Sequence, residues 1–172
     1  AADALNLYGV GGPVNFDVRA GTYNVATPIT FGSIIGANAS RPITFEGTNA
    51  ATRIITGNLA SSALVLFNSG SKYISFRNFT VTNTSATAAG IGIIGNTNKI
   101  SVVKCTVNIP VQSGTSTACY GITITNTAGG YGVAAMTSDS TTLDSNVING
   151  GGYAIVCYGA SNASNNRAMR IR

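Results

Sequence analysis

The sequence contains no histidine and no tryptophan, and only five of its 172 residues are Asp or Glu. Without histidine, neither a Ser–His–Asp triad nor a Cys–His pair can be built, which excludes hydrolases of those classes. A zinc site would lack its imidazole ligands, and no C-x-x-C pair supplies thiolates instead. We therefore expect no metal site and no resident cofactor.

Cysteine is also scarce, with Cys105, Cys119 and Cys157 in the whole chain. Three such residues fit neither a disulfide scaffold nor a zinc site. The pattern favours buried thiols that act as small apolar side chains. A single bridge, Cys105–Cys119 or Cys119–Cys157, stays open if the protein is exported.

Charged residues make up 9% of the chain, against about a quarter in an average protein. The formal net charge is +5, but basic residues cluster only at Arg167, Arg170 and Arg172. A nucleic-acid interface shows a denser basic stripe with interleaved aromatic residues, so we expect no nucleic-acid partner. No apolar run approaches the ~18 residues of a membrane span, and none is expected.

A G-x-G-x-x-G motif at Gly90–Gly95 matches the spelling of the dinucleotide-binding fingerprint. That fingerprint needs a strand before it, a helix after it and an acid about 20 residues on. Thr82–Thr87 has a loop composition, Ile100–Val107 is β-branched and strand-like, and the next acid is Asp139. This context excludes a nucleotide site and predicts a structural reason for the glycines.

Short alternating segments recur at intervals of about thirty residues, a period typical of repeat folds. We expect their first inward side chains to form one column inside a tube, and these are Leu64, Ile91, Ile122 and Ile155. Four residues after each stands a residue type that tolerates positive φ, namely Asn68, Gly95, Asn126 and Gly159. This regularity predicts one turn geometry repeated four times.

Two further strands follow in each repeat. Ile74–Val81 aligns without a gap with Ile100–Val107, which places Lys104 beside Asn78, and Val133–Met136 holds the matching offset in the next repeat. The third strands are placed at Thr80–Thr82, Thr106–Val111 and Leu143–Ile148. Three short strands per repeat without helical periodicity predict a coil of parallel strands. One helix is expected, at Ala1–Leu7, where it covers the open N-terminal end.

The segment Gly12–Gly57, with its A-G-T-Y (Ala20–Tyr23) and P-I-T-F-E-G (Pro42–Gly47) phrases, resembles the entry of known β-helices. These are right-handed parallel β-helix proteins of the pectate-lyase-like superfamily, in particular repeats of large secreted bacterial surface proteins. The resemblance implies an all-β solenoid with three short strands per turn and an extracellular or cell-surface location. We expect residues 1–172 to form a single β-helix domain, part of a longer solenoid or multidomain protein, because Arg170–Arg172 ends without a cap.

The resemblance also raises the possibility of a polysaccharide lyase. Lyases of this superfamily use Lys or Arg to remove the proton beside a uronate carboxylate, which acids, often with calcium, neutralise. The basic candidates are Arg77, Lys104 and Arg167. No acid lies between Glu46 and Asp139, and Asp139 and Asp144 sit in a polar stretch, Thr137–Asp144, that indicates an outer turn. We expect no catalytic residue, and calcium only in the lyase alternative.

The candidate carbohydrate-binding residues are Tyr120, Tyr131, Tyr153 and Tyr158. Tyr120 and Tyr153 each precede an inward Ile by two residues, so we expect them to stack on neighbouring turns. An exposed row would offer aromatic faces to sugar rings. The two-residue offset instead favours an internal stack on the same side as the isoleucines. The threonine pairs 80/82, 115/117 and 123/125 fall on different strands, so no flat threonine grid is expected.

The low charge, the missing acid cluster and the coiled architecture favour a non-catalytic, extracellular module of a surface protein. Such a module would be stalk-like or adhesive and would contact polysaccharide or other surface proteins. Two alternatives stay open. One is a polysaccharide lyase or a lyase-derived carbohydrate binder acting on uronate polymers, and the other is a filament subunit that associates end to end through open strand edges.

Overall fold

The computed structural model describes residues 1–87, 89–111, 119–125, 138–158 and 168–172. Helix α1 spans Ala2–Tyr8, and a 3-10 turn spans Ala50–Thr52. The strands are β1 (Val14–Asp17), β2 (Gly21–Asn24), β3 (Ile29–Phe31), β4 (Ile43–Glu46), β5 (Arg53–Gly57), β6 (Ala63–Phe67), β7 (Lys72–Arg77), β8 (Thr80–Asn83), β9 (Ala89–Ile94), β10 (Thr97–Val103), β11 (Thr106–Asn108), β12 (Tyr120–Thr125), β13 (Ser138–Asp139), β14 (Thr142–Asp144), β15 (Val147–Asn149), β16 (Tyr153–Cys157) and β17 (Arg170–Ile171).

These strands form three parallel sheets. Sheet A has the order β1-β4-β7-β10-β14-β17, with β13 also paired to β10; sheet B is β2-β5-β8-β11-β15; sheet C is β3-β6-β9-β12-β16. The chain visits sheets A, B and C in turn, so it coils as a parallel β-helix with three strands per turn. The described residues build five such turns and the start of a sixth, which confirms the predicted fold class.

The corner between sheets A and B repeats most regularly. Ile74 pairs with Ile100 in sheet A, and Val81 pairs with Val107 in sheet B, without a gap between them. The predicted alignment is confirmed, and Lys104 lies beside Asn78 because Val103 pairs with Arg77. One left-handed residue turns the chain at this corner in each of three turns: Asn78 (φ 60°), Lys104 (φ 53°) and Ser145 (φ 55°).

The interior is apolar and continuous along the tube. Phe31 stacks on Phe67 with ring centroids 5.2 Å apart, and Phe76 stacks on Phe79 at 4.3 Å. Further along the chain, isoleucine, valine and leucine replace the phenylalanines in this core. One turn cannot bury its inner face alone, so the fold depends on contacts between successive turns.

Helix α1 covers one edge of the coil, as predicted. Leu5 is buried in the core. The Asn6 side chain donates from Nδ2 to the Thr30 carbonyl (2.7 Å) and accepts at Oδ1 from the Gly32 amide (2.9 Å). Asn6 therefore satisfies backbone groups of β3 that have no strand beside them.

Two predicted strands need correction in the later turns, and a third is not tested. The strand expected at Leu143–Ile148 is two strands, β14 in sheet A and β15 in sheet B, because Ser145 turns the chain between them. The third strand begun at Thr106 ends at Asn108, not Val111. Val133–Met136 lies outside the described residues, and the strands that pair with β10 at this turn are β13 and β14.

The polar stretch that contains Asp139 and Asp144 is not an outer turn. Its described part lies in sheet A, and Ser138 and Thr141 are fully buried. Ser138 Oγ lies 2.8 Å from Thr97 Oγ1 and 2.6 Å from Thr141 Oγ1. This hydroxyl chain lets polar residues occupy an internal strand, because buried polar groups must find hydrogen-bond partners.

None of the three cysteines forms a disulfide, so neither considered bridge is present. Cys105 and Cys119 are buried, as the apolar interpretation predicted, whereas Cys157 is exposed. Burial raises the pKa of the Cys105 thiol to about 11. Cys105 is therefore protonated at neutral pH and behaves as a small apolar side chain.

Candidate functional site

The strands of sheet C do not alternate strictly between inside and outside. Leu64 and Val65 are consecutive, and both pack in the central core. In the next two turns the residue beside Leu64 is a glycine. A Cβ on Gly90 would collide with the core side chain of Val107, and one on Gly121 with Ile148. Each strand therefore directs two successive residues inward.

We call this pair of successive inward residues the kink. It corrects the predicted column of inward side chains. The residue in register with Ile91, Ile122 and Ile155 is Val65, not Leu64. The one-residue shift also aligns Asn68 with Ile94, and Asn68 is not among the residues with positive φ. The turn predicted to repeat is thus confirmed only at Gly95 (φ 68°), while Asn126 and Gly159 lie outside the described residues.

The three glycines of the G-x-G-x-x-G motif each have a structural cause. Gly90 faces inward against Val107. Gly92 faces the other way, where a Cβ would lie 2.8 Å from Leu66 Cδ2. Gly95 adopts a left-handed conformation that glycine enters without a steric penalty. The motif thus reflects close packing of adjacent turns at Gly90 and Gly92, which was not predicted, and a turn at Gly95, which was.

A second buried cluster lies on the outer side of sheet C. Its members are separate from the central core and comprise Ala63, Leu66, Ala89, Tyr120 and Val156. The kink explains their position, because the residue before each inward pair must point outward. Sheet C thus carries apolar and aromatic side chains on both of its faces.

Two of the predicted tyrosines meet on this outer face. The rings of Tyr120 and Tyr153 stack, with centroids 6.1 Å apart and planes inclined by 15°. The predicted stacking is confirmed, but its predicted place inside the tube is wrong, because Tyr120 belongs to the outer cluster. Tyr120 is 4% exposed and Tyr153 is 42% exposed, so the stack runs from a buried ring to the surface.

Burial raises the pKa of Tyr120, and its neighbours Tyr153 and Cys119 act in the same direction. The hydroxyl of Tyr120 is therefore neutral across the physiological range. A neutral, buried ring gives Tyr153 an uncharged support. The arrangement can bind through shape and apolar contact.

Tyr158 follows directly after the end of β16. It is 41% exposed, and its amide donates to the Ile124 carbonyl at 2.9 Å, which keeps the chain in sheet C. Alternation from the outward Val156 places Tyr158 on the outer face with Tyr153. Five residues of strand separate the two rings by about 16 Å. Tyr131, the fourth predicted residue, lies outside the described residues.

Charged residues form a stripe across the C-terminal ends of the first three strands of sheet A, beside the corner with sheet B. Asp17, Glu46 and Arg77 are in register on successive strands, although each is about one repeat from the next in sequence. Glu46 Oε2 lies 3.7 Å from Arg77 Nε. Glu46 Oε1 accepts from Asn78 Nδ2 (2.6 Å) and from the Thr48 amide (2.7 Å). The sequence analysis missed this stripe, which the repeat spacing could have revealed.

Within the stripe, the acid Glu46 is paired with the base Arg77, so the stripe is not a set of acids alone. Arg77 of one turn is paired with Glu46 of the turn before. Within the described ranges, no three His, Cys, Asp or Glu residues are grouped so that they could hold a metal ion. The arrangement resembles a structural brace between turns more than a site for a carboxylate substrate.

A cavity of about 730 Å³ opens at the N-terminal end of the coil beside α1. Its wall includes Val18, Phe31, Phe45, Ile55 and Phe79. These side chains are part of the central core or pack against it. The cavity is therefore an end of the core that α1 leaves partly open.

No helix in the described part of the chain is long and apolar enough to cross a membrane. Comparison of the chain with protein-family models, with curated protein sequences and with solved structures gave no match.

Proposed function

We propose that this chain is a non-catalytic, extracellular β-helix module of a surface protein, stalk-like or adhesive, and that it contacts carbohydrate. We place it with the pectate-lyase-like β-helices, on the strength of the Gly12–Gly57 resemblance together with the parallel coil. The observation that carries the proposal is the pair of half-exposed rings, Tyr153 and Tyr158, on one strand face.

Tyrosine suits this task for physical reasons. Its ring stacks on the apolar face of a sugar, while its hydroxyl exchanges hydrogen bonds with sugar hydroxyls. It has few rotatable bonds, so little entropy is lost on binding. The buried Tyr120 beneath Tyr153 limits the motion of the exposed ring further. Two rings about 16 Å apart suit an extended oligosaccharide better than a single sugar.

The two alternatives have less support. A lyase would need Arg77, Lys104 or Arg167 as the proton acceptor, but Arg77 is paired with Glu46, and Arg167 lies outside the described residues. A filament would need a free sheet edge at each end of the subunit. Asn6 of α1 already bonds the edge of β3 at the first turn.

Affinity electrophoresis through gels that contain soluble polysaccharides tests the proposal. We expect at least one polysaccharide to retard the protein, and Tyr153→Ala with Tyr158→Ala to weaken that affinity about tenfold, since each ring contributes about 0.5–1.5 kcal/mol. Tyr8→Ala is the matched control, because Tyr8 is 79% exposed on α1, which contacts β3 at the opposite edge of sheet C from β16.

Three results would contradict this account. Retardation by no polysaccharide would remove the carbohydrate contact. An equal loss in the Tyr8→Ala variant would show that the two rings on β16 have no special role. New ultraviolet absorbance from unsaturated sugars, on incubation with polyuronates, would establish the lyase alternative instead.

A further inference from the structure

The outer face of sheet B carries a polar column that runs the length of the coil. Its members are in register on five successive strands, and they are Asn24, Thr56, Thr82, Asn108 and Asn149. All five are partly or fully exposed to solvent. The threonine pairs alone predicted no flat threonine grid, and the column was not predicted. Asparagine continues the column where threonine stops.

Side-chain hydrogen bonds link the last three residues of this column, Thr82, Asn108 and Asn149. Asn149 Nδ2 donates to Asn108 Oδ1 at 2.8 Å, and Asn108 Nδ2 donates to Thr82 Oγ1 at 3.1 Å. An amide has two N–H donors and two acceptor lone pairs, so each asparagine keeps hydrogen-bonding capacity beyond these contacts. The side chains are fixed in position before any partner arrives, which lowers the entropic cost of binding.

The column is uncharged, and so is the column beside it. The second outward column of sheet B comprises Thr22, Ile54, Thr80, Thr106 and Val147. The corresponding face of sheet A holds Asp17, Glu46, Arg77 and Asp144. In a protein of formal charge +5, these two outward columns of sheet B thus hold no charged residue. Such a face complements a neutral partner and gives no advantage to a polyanion.

We infer that the Asn24–Asn149 column binds a neutral polysaccharide that lies parallel to the axis of the coil. Successive strands place one amide or hydroxyl every ~4.8 Å, close to the advance of one pyranose ring along an extended glycan. Each turn therefore offers a hydrogen-bonding group to each successive sugar. The inference rests on the proposed carbohydrate contact and adds a second surface and the neutral class of the ligand.

Affinity electrophoresis in xylan, glucomannan and mixed-linkage β-glucan, with polygalacturonate as the charged comparison, tests this inference. The decisive variant is Asn108→Ala with Asn149→Ala. Its matched control is Ser75→Ala with Ser101→Ala, which removes two short polar side chains from a register column of sheet A. We expect a neutral polysaccharide to retard the wild type, and the asparagine variant to lose about tenfold in affinity while the serine variant does not.

A further variant guards against misfolding. Asn24→Ala shortens the column at its first turn, where the side chain is exposed, so the fold should be unaffected. It should weaken the same affinity by two- to threefold with an unchanged melting temperature. A full loss of binding in the serine control would overturn the inference.

The outcomes separate this inference from the proposed function. If a neutral polysaccharide binds but only the Tyr153 and Tyr158 variants weaken it, the column inference is wrong and the proposed function stands. If only polygalacturonate binds, the neutral class is wrong. If none of the four polysaccharides retards the protein, both proposals fail for these ligands, and altered sedimentation at high concentration would identify the column as a contact between copies.

Discussion

The corner between sheets A and B differs from the strands of sheet C in how successive residues are placed, although the chain passes through both in every turn. At the corner, a single left-handed residue recurs in register at Asn78, Lys104 and Ser145. In sheet C, β6 instead places two successive residues, Leu64 and Val65, inside the coil, and a glycine takes the position of Leu64 in β9 and β12. Inward and outward side chains therefore alternate in β7 and β8, on either side of the corner, whereas this alternation fails in sheet C.

The strongest test of this difference is to truncate Leu64 and Val65 separately. If both point inward, both variants lose core contacts, and Leu64→Ala should lower the free energy of unfolding by about 2–5 kcal/mol. Val65→Ala removes less volume and should cost about 1–3 kcal/mol. Urea unfolding followed by circular dichroism measures both values.

Leu7→Ala provides the control, because Leu7 is exposed on α1 and its truncation should change the midpoint little. Under strict alternation, one of Leu64 and Val65 would lie on the outer face. A cost below about 0.5 kcal/mol for either of them would therefore restore alternation and remove the kink.

The next largest change in the free energy of unfolding is expected at Gly90, which occupies the position of Leu64 one turn later. Gly90→Ala places a methyl group against Val107, and overpacking of this kind costs about 1–3 kcal/mol. Adding Val107→Ala removes the colliding group, so the double variant should be more stable than the two single losses predict. The coupling free energy, at least about 0.5 kcal/mol, is measured by a double-mutant cycle.

Gly11→Ala is the matched change, since nothing lies within 4 Å of a Cβ placed there. It should leave the melting temperature almost unchanged. Additive effects of Gly90→Ala and Val107→Ala would show that the two residues do not face each other, and the explanation of the glycine motif would then be lost.

Most of the fold was predictable because one repeat could be compared with the next. Ile74–Val81 and Ile100–Val107 share length and pattern, so their alignment fixed the register of two sheets at once. The error at Leu64 arose because Ala63–Phe67 is apolar throughout and offers no polar residue to mark the outer side. Period-two patterns carry no information in strands that are buried on both faces.

The candidate site was less predictable for the same reason. The pairing of Tyr120 with Tyr153 followed from the repeat, but their outward direction depends on the kink. The left-handed positions were also hidden, because tyrosine, lysine and serine occupy them as well as asparagine. The sheet B column could be recognised only from the strand pairing. Its members share hydrogen-bonding capacity, but they are of two residue types, threonine and asparagine, so no single residue type repeats in the sequence.

The smallest effect is expected at the corner itself, where Glu46 braces two turns. Burial acts to raise the pKa of Glu46, but hydrogen bonds from Asn78 and the Thr48 amide, with the positive charges of Arg77 and Lys104, lower it further than burial raises it. The folded-state pKa thus lies below the unfolded value. The stabilisation is fully present above the unfolded pKa and is lost as the pH falls through the folded pKa.

We expect Glu46→Gln to cost less than about 1 kcal/mol at pH 7, because the Arg77 side chain is 46% exposed and solvent screens the pair. The difference between wild type and variant should shrink as the pH falls below the ordinary pKa of glutamate, about 4.3, since the wild-type carboxyl then becomes neutral too. Urea midpoints of both proteins across this range measure the gap. An unchanged gap in acid would assign the cost to lost packing rather than to charge, and the corner would then be held by its left-handed backbone alone.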